Sequence, residues 1–247
     1  MERVWGYDTR IHKIPKPSDF PQPERALAKK PKRKQRHRSS APNDVTSSGR
    51  EAELQIIGGT FRGRKLRYHG DPVTRPMKHR VREAIFNLVG TEVEGKHAID
   101  LFAGTGALGL EALSRGAVHA TFIERHIPTA KSVRENISSL AVEDRSTLLE
   151  TSAFLWSKRD LPGFPSEIPW LVFVSPPYAF YVDRRAEMLE LIRAQMRLAP
   201  LGSVLVVETD EQFEFSELPG GVKSDRSDTG WDVREFPPAR VGVWRRH

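Results

Sequence analysis

A glycine-rich segment, DLFAGTGALG at residues 100–109, stands between a short apolar run and a stretch whose apolar residues recur at helical spacing. Gly104 and Gly106 allow the backbone to turn sharply and to approach a ligand closely. The pattern Gly104-x-Gly106-x-x-Gly109 also matches the dinucleotide-binding fingerprint. The glycines therefore indicate a cofactor-binding strand–turn–helix without saying which cofactor it binds.

Of two carboxylates at this segment and after it, Asp100 and Glu124, Asp100 alone distinguishes a dinucleotide from S-adenosylmethionine. Glu124 follows Gly104 by 20 residues and could accept both ribose hydroxyls of either cofactor. Asp100 precedes Gly104 by four residues, where a carboxylate would repel a pyrophosphate and attract a cationic amino-acid group. The sequence therefore favours S-adenosylmethionine, and we expect its adenine edge near Ser152 and Ala153, just after the third predicted strand.

The tetrapeptide Ser175-Pro176-Pro177-Tyr178 follows a continuously apolar strand pattern. Ligands of open α/β sheets bind beyond the carboxyl ends of the strands, which places this tetrapeptide beside the cofactor. The two prolines fix the backbone and keep carbonyl acceptors, and Tyr178 offers a ring on which a base can stack. Acceptors aimed at the N–H bonds of a base amine would hold it in its nucleophilic form, so catalysis would depend on positioning and oriented dipoles.

Alternating strand and helix patterns position both motifs from residue 96 onward. Such alternation predicts an α/β protein with a mostly parallel sheet covered by helices on both faces, here of seven strands, the last two being an antiparallel hairpin. The predicted strands are 97–101, 120–124, 147–150, 170–174, 203–208, 231–236 and 240–244, the predicted helices are 107–115, 128–140 and 184–198, and three prolines predict a loop over 157–169.

A hairpin and a helix are predicted before this alternation. Residues 54–57 are typical of a short strand, Gly58-Gly59 of a turn, and residues 60–62 of the returning strand. Residues 77–89 have helical spacing, and we expect Arg75, Lys78, Arg80 and Arg82 largely on the faces that the apolar residues leave free. The chain is therefore divided into a basic tail (1–52), a hairpin and helix (53–95) and the sheet domain (96–247).

Positive charge is concentrated in the first fifth of the chain. Residues 1–50 contain 13 Lys/Arg and five Asp/Glu, whereas the net charge of the whole chain is +7, so the remainder is close to neutral. Such a segment is typical of disorder and of binding to phosphate backbones. The lack of cysteine excludes disulfides and thiolate chemistry. Since the histidines show no metal-ligand spacing and no apolar run could span a bilayer, we expect a soluble, cytoplasmic protein without a metal.

The motifs occur in the order of a known family. Residues 56–66 (IIGGTFRGRKL), 74–89 (TRPMKHRVREAIFNLV), 100–115 (DLFAGTGALGLEALSR), 122–124 and 175–178 (SPPY) resemble the RsmD family, bacterial guanine-N(2)-methyltransferases of 16S ribosomal RNA. The resemblance covers about residues 54–246. It implies a Rossmann-like class I methyltransferase domain preceded by a small RNA-contacting β-hairpin.

The resemblance also assigns roles to individual residues. It implies that S-adenosylmethionine contacts Thr74, Asp100, Phe102, Ala103, Gly104, Gly106 and Glu124, in addition to the expected Ser152 and Ala153. The tetrapeptide Ser175, Pro176, Pro177 and Tyr178 would be catalytic, and RNA would contact Arg62, Arg64, Lys65, Arg75 and Arg80. The implied partner is 16S ribosomal RNA or the small ribosomal subunit, with no membrane partner, and we expect a monomer.

Ser175 departs from the family pattern, in which the tetrapeptide begins with Asp or sometimes Asn. Serine keeps a hydroxyl acceptor but is shorter and neutral. Two alternatives therefore stay open. One is a DNA adenine-N(6) methyltransferase, for which the same tetrapeptide would serve. The other is a catalytically weak module that binds RNA and S-adenosylmethionine.

Overall fold

The computed structural model describes residues 54–68, 77–164, 167–224 and 229–247, which all belong to one unit, Ala52–His247. The strands are β1 (His97–Asp100), β2 (His119–Ile123), β3 (Ser146–Leu149), β4 (Trp170–Val174), β5 (Val204–Asp210), β6 (Asp232–Phe236) and β7 (Ala239–Arg245). The α-helices are α1 (His79–Val89), α2 (Ala107–Ser114), α3 (Ile127–Leu140), α4 (Ala153–Arg159), α5 (Phe180–Asp183) and α6 (Arg185–Leu198). The predicted tail, 1–52, lies outside the described residues.

The seven strands form one sheet in the order β3-β2-β1-β4-β5-β7-β6. The strands from β1 to β5 pair in parallel, and β7 and β6 close one edge as an antiparallel hairpin. The expected α/β, Rossmann-like class is therefore confirmed. The strand order reverses between β1 and β4, and ligands of such sheets bind in the crevice that this reversal opens.

The central strand β4 shows how both faces of the sheet are filled. Leu171 and Phe173 belong to a core shared with α1, α2 and α3, whereas Val172 and Val174 belong to a second core with α4 and α6. A strand that is buried on both faces needs apolar side chains at every position, which explains its uninterrupted WLVFV sequence. No helix within the described ranges is long and apolar enough to cross a membrane.

The loop predicted over 157–169 is wrong at its start. The helix α4 continues to Arg159, and a turn of 3-10 helix follows at Leu161–Gly163. Phe154 and Trp156 bury this helix in the core that it shares with α6. Pro162 does not interrupt α4, because it comes after the last helical residue.

The amino-terminal hairpin forms, but with a longer connection than predicted. The N–H of Ile56 donates to the carbonyl of Arg64 at 2.9 Å, so the returning arm does not run over 60–62, which lie in the turn. The two glycines of the predicted turn dock on α2 instead. A Cβ on Gly59 would lie 1.9 Å from the carbonyl oxygen of Ser114, so only glycine allows this contact.

Arg82 is buried, and the prediction that placed it on an outer face is wrong. Its side chain is 1 % exposed and donates to the carbonyl of Gln55 at 2.6 Å. Burial lowers the pKa of Arg82, and the Glu111 carboxylate opposes this shift. The hairpin supplies the acceptor and covers this face of α1, which helical spacing alone does not reveal.

Glu111 fastens the hairpin to α2. This fully buried carboxylate accepts the N–H groups of Ile57 and Gly58, each at 2.7 Å. It also accepts the Nε–H of Arg115 at 2.8 Å. A buried carboxylate is stable only when donors of this kind replace its hydration, so the hairpin and Glu111 depend on each other.

We predict that Glu111→Ala destabilises the fold, because it leaves two backbone N–H groups and the Arg115 guanidinium without their acceptor. Breaking a buried charged network of this kind costs about 3–5 kcal/mol in the free energy of unfolding, which urea denaturation measures. Glu143→Ala, at an exposed carboxylate in the turn before β3, is the control and should change stability little. Equal effects of the two substitutions would contradict this account of Glu111.

Candidate cofactor and catalytic site

The loops after β1, β2, β3 and β4 lie together at the carboxyl edge of the sheet, because these strands are parallel neighbours. They contain the predicted cofactor and catalytic residues that the structure describes. These are Asp100, Phe102, Ala103, Gly104 and Gly106 after β1, Glu124 after β2, Ser152 and Ala153 after β3, and Ser175 to Tyr178 after β4. Thr74 and Arg75 lie outside the described residues.

The glycine loop connects β1 to α2 by a sharp turn. Gly104 and Gly106 have φ values of 54° and 79°, in the left-handed region that favours glycine, and Gly106 is the residue at which α2 begins. A Cβ on Gly109 would lie 2.3 Å from the Phe122 ring, so this glycine lets α2 pack closely on β2. Backbone conformation therefore explains the glycines at 104 and 106, and close packing explains the glycine at 109.

Asp100, the last residue of β1, is a buried carboxylate at the start of the glycine loop. It is 1 % exposed, and its Oδ2 accepts the N–H of Gly109 at 3.2 Å. Its Oδ1 is buried and has no hydrogen-bond partner in the described part of the chain. Burial raises the pKa of Asp100 to about 7, the nearby Glu124 adds to the shift, and the hydrogen bond from Gly109 and a weaker contact from the Phe102 N–H oppose it. A buried carboxylate with an unfilled acceptor site would be stabilised by a cationic donor, and the ammonium group of S-adenosylmethionine fits this requirement.

Glu124 links the loops after β1 and β2. Its Oε2 accepts the N–H of Gly104 at 3.0 Å, and its Oε1 accepts the N–H of His126 at 2.8 Å. Each carboxylate oxygen has a second lone pair, so Glu124 can hold the glycine loop and still accept a ribose hydroxyl. Its role at the ribose stays a prediction.

Three phenylalanines form an aromatic cluster at the same edge. The ring centroids of Phe102, Phe154 and Phe180 lie 6.0 to 6.2 Å from one another. The Arg184 guanidinium lies 3.9 Å from the centroid of the Phe154 ring. Ser152 and Ala153, which lead into Phe154, are thereby brought beside the glycine loop. Phe154 and Phe180 were not predicted as site residues, although each follows closely after a predicted position, Phe154 after Ala153 and Phe180 after Tyr178.

The catalytic tetrapeptide leads directly into α5. The carbonyl of Pro177 accepts the N–H of Phe180 at 2.9 Å, so it is partly used by the chain itself. Pro176 is buried and Ser175 is half-buried. The two acceptors that best fit the predicted chemistry are therefore the Ser175 hydroxyl and the Pro176 carbonyl.

Glu208, near the end of β5, lies behind the tetrapeptide and was not assigned a role from the sequence. The Ser175 hydroxyl donates to its Oε2, and the Tyr178 hydroxyl donates to its Oε1 at 2.8 Å. The Tyr181 hydroxyl donates to its backbone carbonyl at 2.9 Å. Burial raises the pKa of Glu208, while the hydrogen bonds from Ser175 and Tyr178 oppose the shift. Burial, followed by the charge of Glu208, raises the pKa of Tyr178 and keeps its hydroxyl neutral.

The four predicted RNA-binding residues that the structure describes, Arg62, Arg64, Lys65 and Arg80, do not form one cluster. Arg80 lies at the first turn of α1 and donates to the carbonyl of Pro237 at 2.9 Å. Pro237 belongs to the β6–β7 turn, which the pairing of Asp210 with Ala239 places at the carboxyl edge. Arg80 therefore lies at the same carboxyl edge of the sheet as the catalytic tetrapeptide.

The hairpin cations lie farther away from this edge. Arg64 donates to the carbonyl of Ser139 in the last turn of α3, about 18 Å along the helix axis from Ile127. Arg62 and Lys65 are its exposed neighbours on the hairpin. These exposed cations therefore lie toward the far end of α3 from the carboxyl edge.

Known proteins similar to this chain include ribosomal RNA methyltransferases. A family profile described as "Conserved hypothetical protein 95" matches residues 54–232. "Ribosomal RNA small subunit methyltransferase D" of Escherichia coli K12 is 41 % identical over 127 residues, which are 51 % of this chain and 61 % of that protein. The protein of the same name from Haemophilus influenzae is 31 % identical over 170 residues, 68 % of this chain and 84 % of that protein.

A solved structure shows the likeness in three dimensions over most of the chain. "Putative methyltransferase yhhF" from Escherichia coli has a TM-score of 0.59 and 28 % identity, over 79 % of this chain and 98 % of that chain. The predicted cofactor, S-adenosyl-L-methionine, is confirmed by these methyltransferase relatives together with the glycine loop and Asp100. The match of the family profile to most of the chain shows that this protein belongs to the RsmD family of methyltransferases.

Proposed function

We propose that this protein methylates the exocyclic 2-amino group of a guanine in small-subunit ribosomal RNA. The coarser function, methylation of ribosomal RNA, follows from its family and from the names of its relatives. The choice of guanine rests on the resemblance to the RsmD family, and one observation of the site supports an exocyclic amino group as the methyl acceptor. The acceptor Ser175, backed by Glu208, lies at the carboxyl edge beside the cofactor loop, where it can hold an amino group by its N–H bonds.

The residues present would act mainly by positioning. S-adenosyl-L-methionine supplies an electrophilic methyl group carried on a sulfonium. The Ser175 hydroxyl and the Pro176 carbonyl accept the two amino hydrogens, which favours a pyramidal nitrogen whose lone pair faces the methyl carbon. The bound cofactor would supply the methyl group for the new N–C bond, with sulfur keeping the electron pair of the C–S bond, and the methylated nitrogen would give one proton to solvent. The Tyr178 ring provides the surface on which the base stacks.

Binding of RNA would draw on cations at the carboxyl edge and on cations beyond it. Arg80 lies at the catalytic side, while Arg62, Arg64 and Lys65 lie on the hairpin. We assign the hairpin and helix of residues 53–95, together with the basic segment 1–52, to contacts with the RNA backbone, which any basic surface can neutralise. With ribosomal RNA as substrate, the cytoplasm is the proposed place of action, and the proposed form of the protein is a monomer.

The first test of this proposal is transfer of labelled methyl groups to small ribosomal subunits that lack guanine N(2) methylation, followed by nucleoside analysis. We expect labelled N(2)-methylguanosine. Label on adenine N(6) in duplex DNA would favour the DNA-methylating alternative. Binding of cofactor and RNA without transfer to either substrate would favour the non-catalytic one.

A second prediction concerns Asp100 and pH. Because the pKa of Asp100 in the free protein is about 7, a cationic ligand must bind less tightly as the pH falls and the carboxylate becomes protonated. Calorimetric titration should give a dissociation constant for S-adenosyl-L-methionine about tenfold larger at pH 6 than at pH 8. Asp100→Asn should weaken binding at pH 8 about 10- to 100-fold and remove this pH dependence.

The matched control is Asp144→Asn, at an exposed carboxylate before β3, which should leave both the affinity and its pH dependence unchanged. An equal pH dependence in wild type and Asp100→Asn would show that Asp100 does not hold the ammonium group.

A further inference from the structure

The proposed function leaves one buried acidic group without a role. Glu208 lies 33 residues after Ser175 in the chain, yet the two are adjacent in space. The cause is the parallel register of β4 and β5, in which Val174 pairs with Val207. Ser175, the first residue after β4, and Glu208 each follow one member of this pair. The serine that stands where the family has an acidic residue therefore contacts an acidic side chain from the neighbouring strand.

The hydrogen bonds of Ser175 determine whether its hydroxyl faces the site as a donor or as an acceptor. A serine hydroxyl has one hydrogen and two acceptor lone pairs. Since that hydrogen is donated to Glu208 Oε2, Oγ can offer only lone pairs to the site. The other carboxylate oxygen accepts the Tyr178 hydroxyl at 2.8 Å, so rotation of the Glu208 carboxyl group would break two bonds at once.

We propose that Glu208 is a positioning residue that holds Ser175 as an obligate hydrogen-bond acceptor for the substrate amino group. This inference rests on the proposed function, because an amino group presents donors. The carboxylate and the hydroxyl together would do the work of the acidic residue that the family has at this place. The charge of Glu208 also polarises the Ser175 O–H bond and makes Oγ a stronger acceptor.

Both oxygens of Glu208 are acceptors only in the ionised form. A carboxyl group protonated on Oε2 would donate its hydrogen to Ser175 Oγ and release the serine hydrogen toward the substrate, where two donors would then face each other. The groups around Glu208 are Ser175 and Tyr178 of the tetrapeptide, Tyr181 of α5, and Asp210 farther along β5. Both tyrosines have raised pKa values and stay neutral, so the expected titration is that of Glu208, whose pKa burial raises.

The experiment compares wild type, Glu208→Gln, Ser175→Ala and the double variant. Glu211→Gln, which removes an exposed carboxylate just after β5, is the control for charge. The kcat for transfer to small subunits is measured with both substrates saturating. We expect Glu208→Gln to lower kcat about tenfold or more, with the affinity for S-adenosyl-L-methionine and the midpoint of thermal unfolding nearly unchanged, and Glu211→Gln to retain wild-type kcat.

Two readouts separate positioning from a structural role. If Glu208 acts through Ser175, the double variant should be no slower than the slower single variant, whereas fully additive losses would overturn the proposal. The kcat of wild type should also fall as the pH drops through a value above the usual Glu range, and Glu208→Gln should lack this fall. Saturating cofactor keeps Asp100 ionised in all variants, so its titration does not contribute.

The outcomes also distinguish this inference from the proposed function. Wild type that forms no N(2)-methylguanosine would overturn the proposed function and, with it, the role of Glu208. Active wild type with an equally active Glu208→Gln, or with the same pH profile in both proteins, would overturn the role of Glu208 alone.

Discussion

Parallel pairing of β1 with both β2 and β4 is the constraint on which the site depends, because it brings the carboxyl ends of these strands to one edge. The chain leaves this edge toward α2 and α3 on one face and toward α4 and α6 on the other. A crevice therefore opens between the ends of β1 and β4. The cofactor loop lies on one side of it and the catalytic tetrapeptide on the other, 75 residues apart in the chain between Asp100 and Ser175.

Three buried carboxylates have different roles in this structure. Asp100, Glu111 and Glu208 are each at most 6 % exposed. Glu111 has donors for both oxygens and serves the packing of the hairpin. Asp100 keeps one oxygen without a partner, which suits a cationic ligand. Glu208 is satisfied by hydroxyls, whose oxygens in turn become acceptors. The same side-chain chemistry thus serves anchoring, binding and positioning, according to which donors surround it.

Local pattern was enough to predict much of the fold. The strand β4 agrees with its prediction at both ends, and the glycine spacing identified the start of α2, because these features depend on the period of apolar residues and on backbone geometry. Features that depend on distant partners could not be predicted in the same way. Arg82 is buried by a hairpin 27 residues earlier in the chain, and the final turn of α4 forms despite nearby prolines because α6 covers Phe154 and Trp156. An acidic residue at the end of a strand usually faces solvent, so nothing local marked Glu208.

The most direct test of the central claim is a crystal structure of the protein with S-adenosyl-L-homocysteine and a guanine nucleotide. The account predicts the amino-acid nitrogen of the cofactor product within about 3.2 Å of Asp100 Oδ1, and the 2-amino group of the base at a similar distance from Ser175 Oγ. A base whose amino group lies away from Ser175, or a cofactor product whose ammonium group does not reach Asp100, would contradict it.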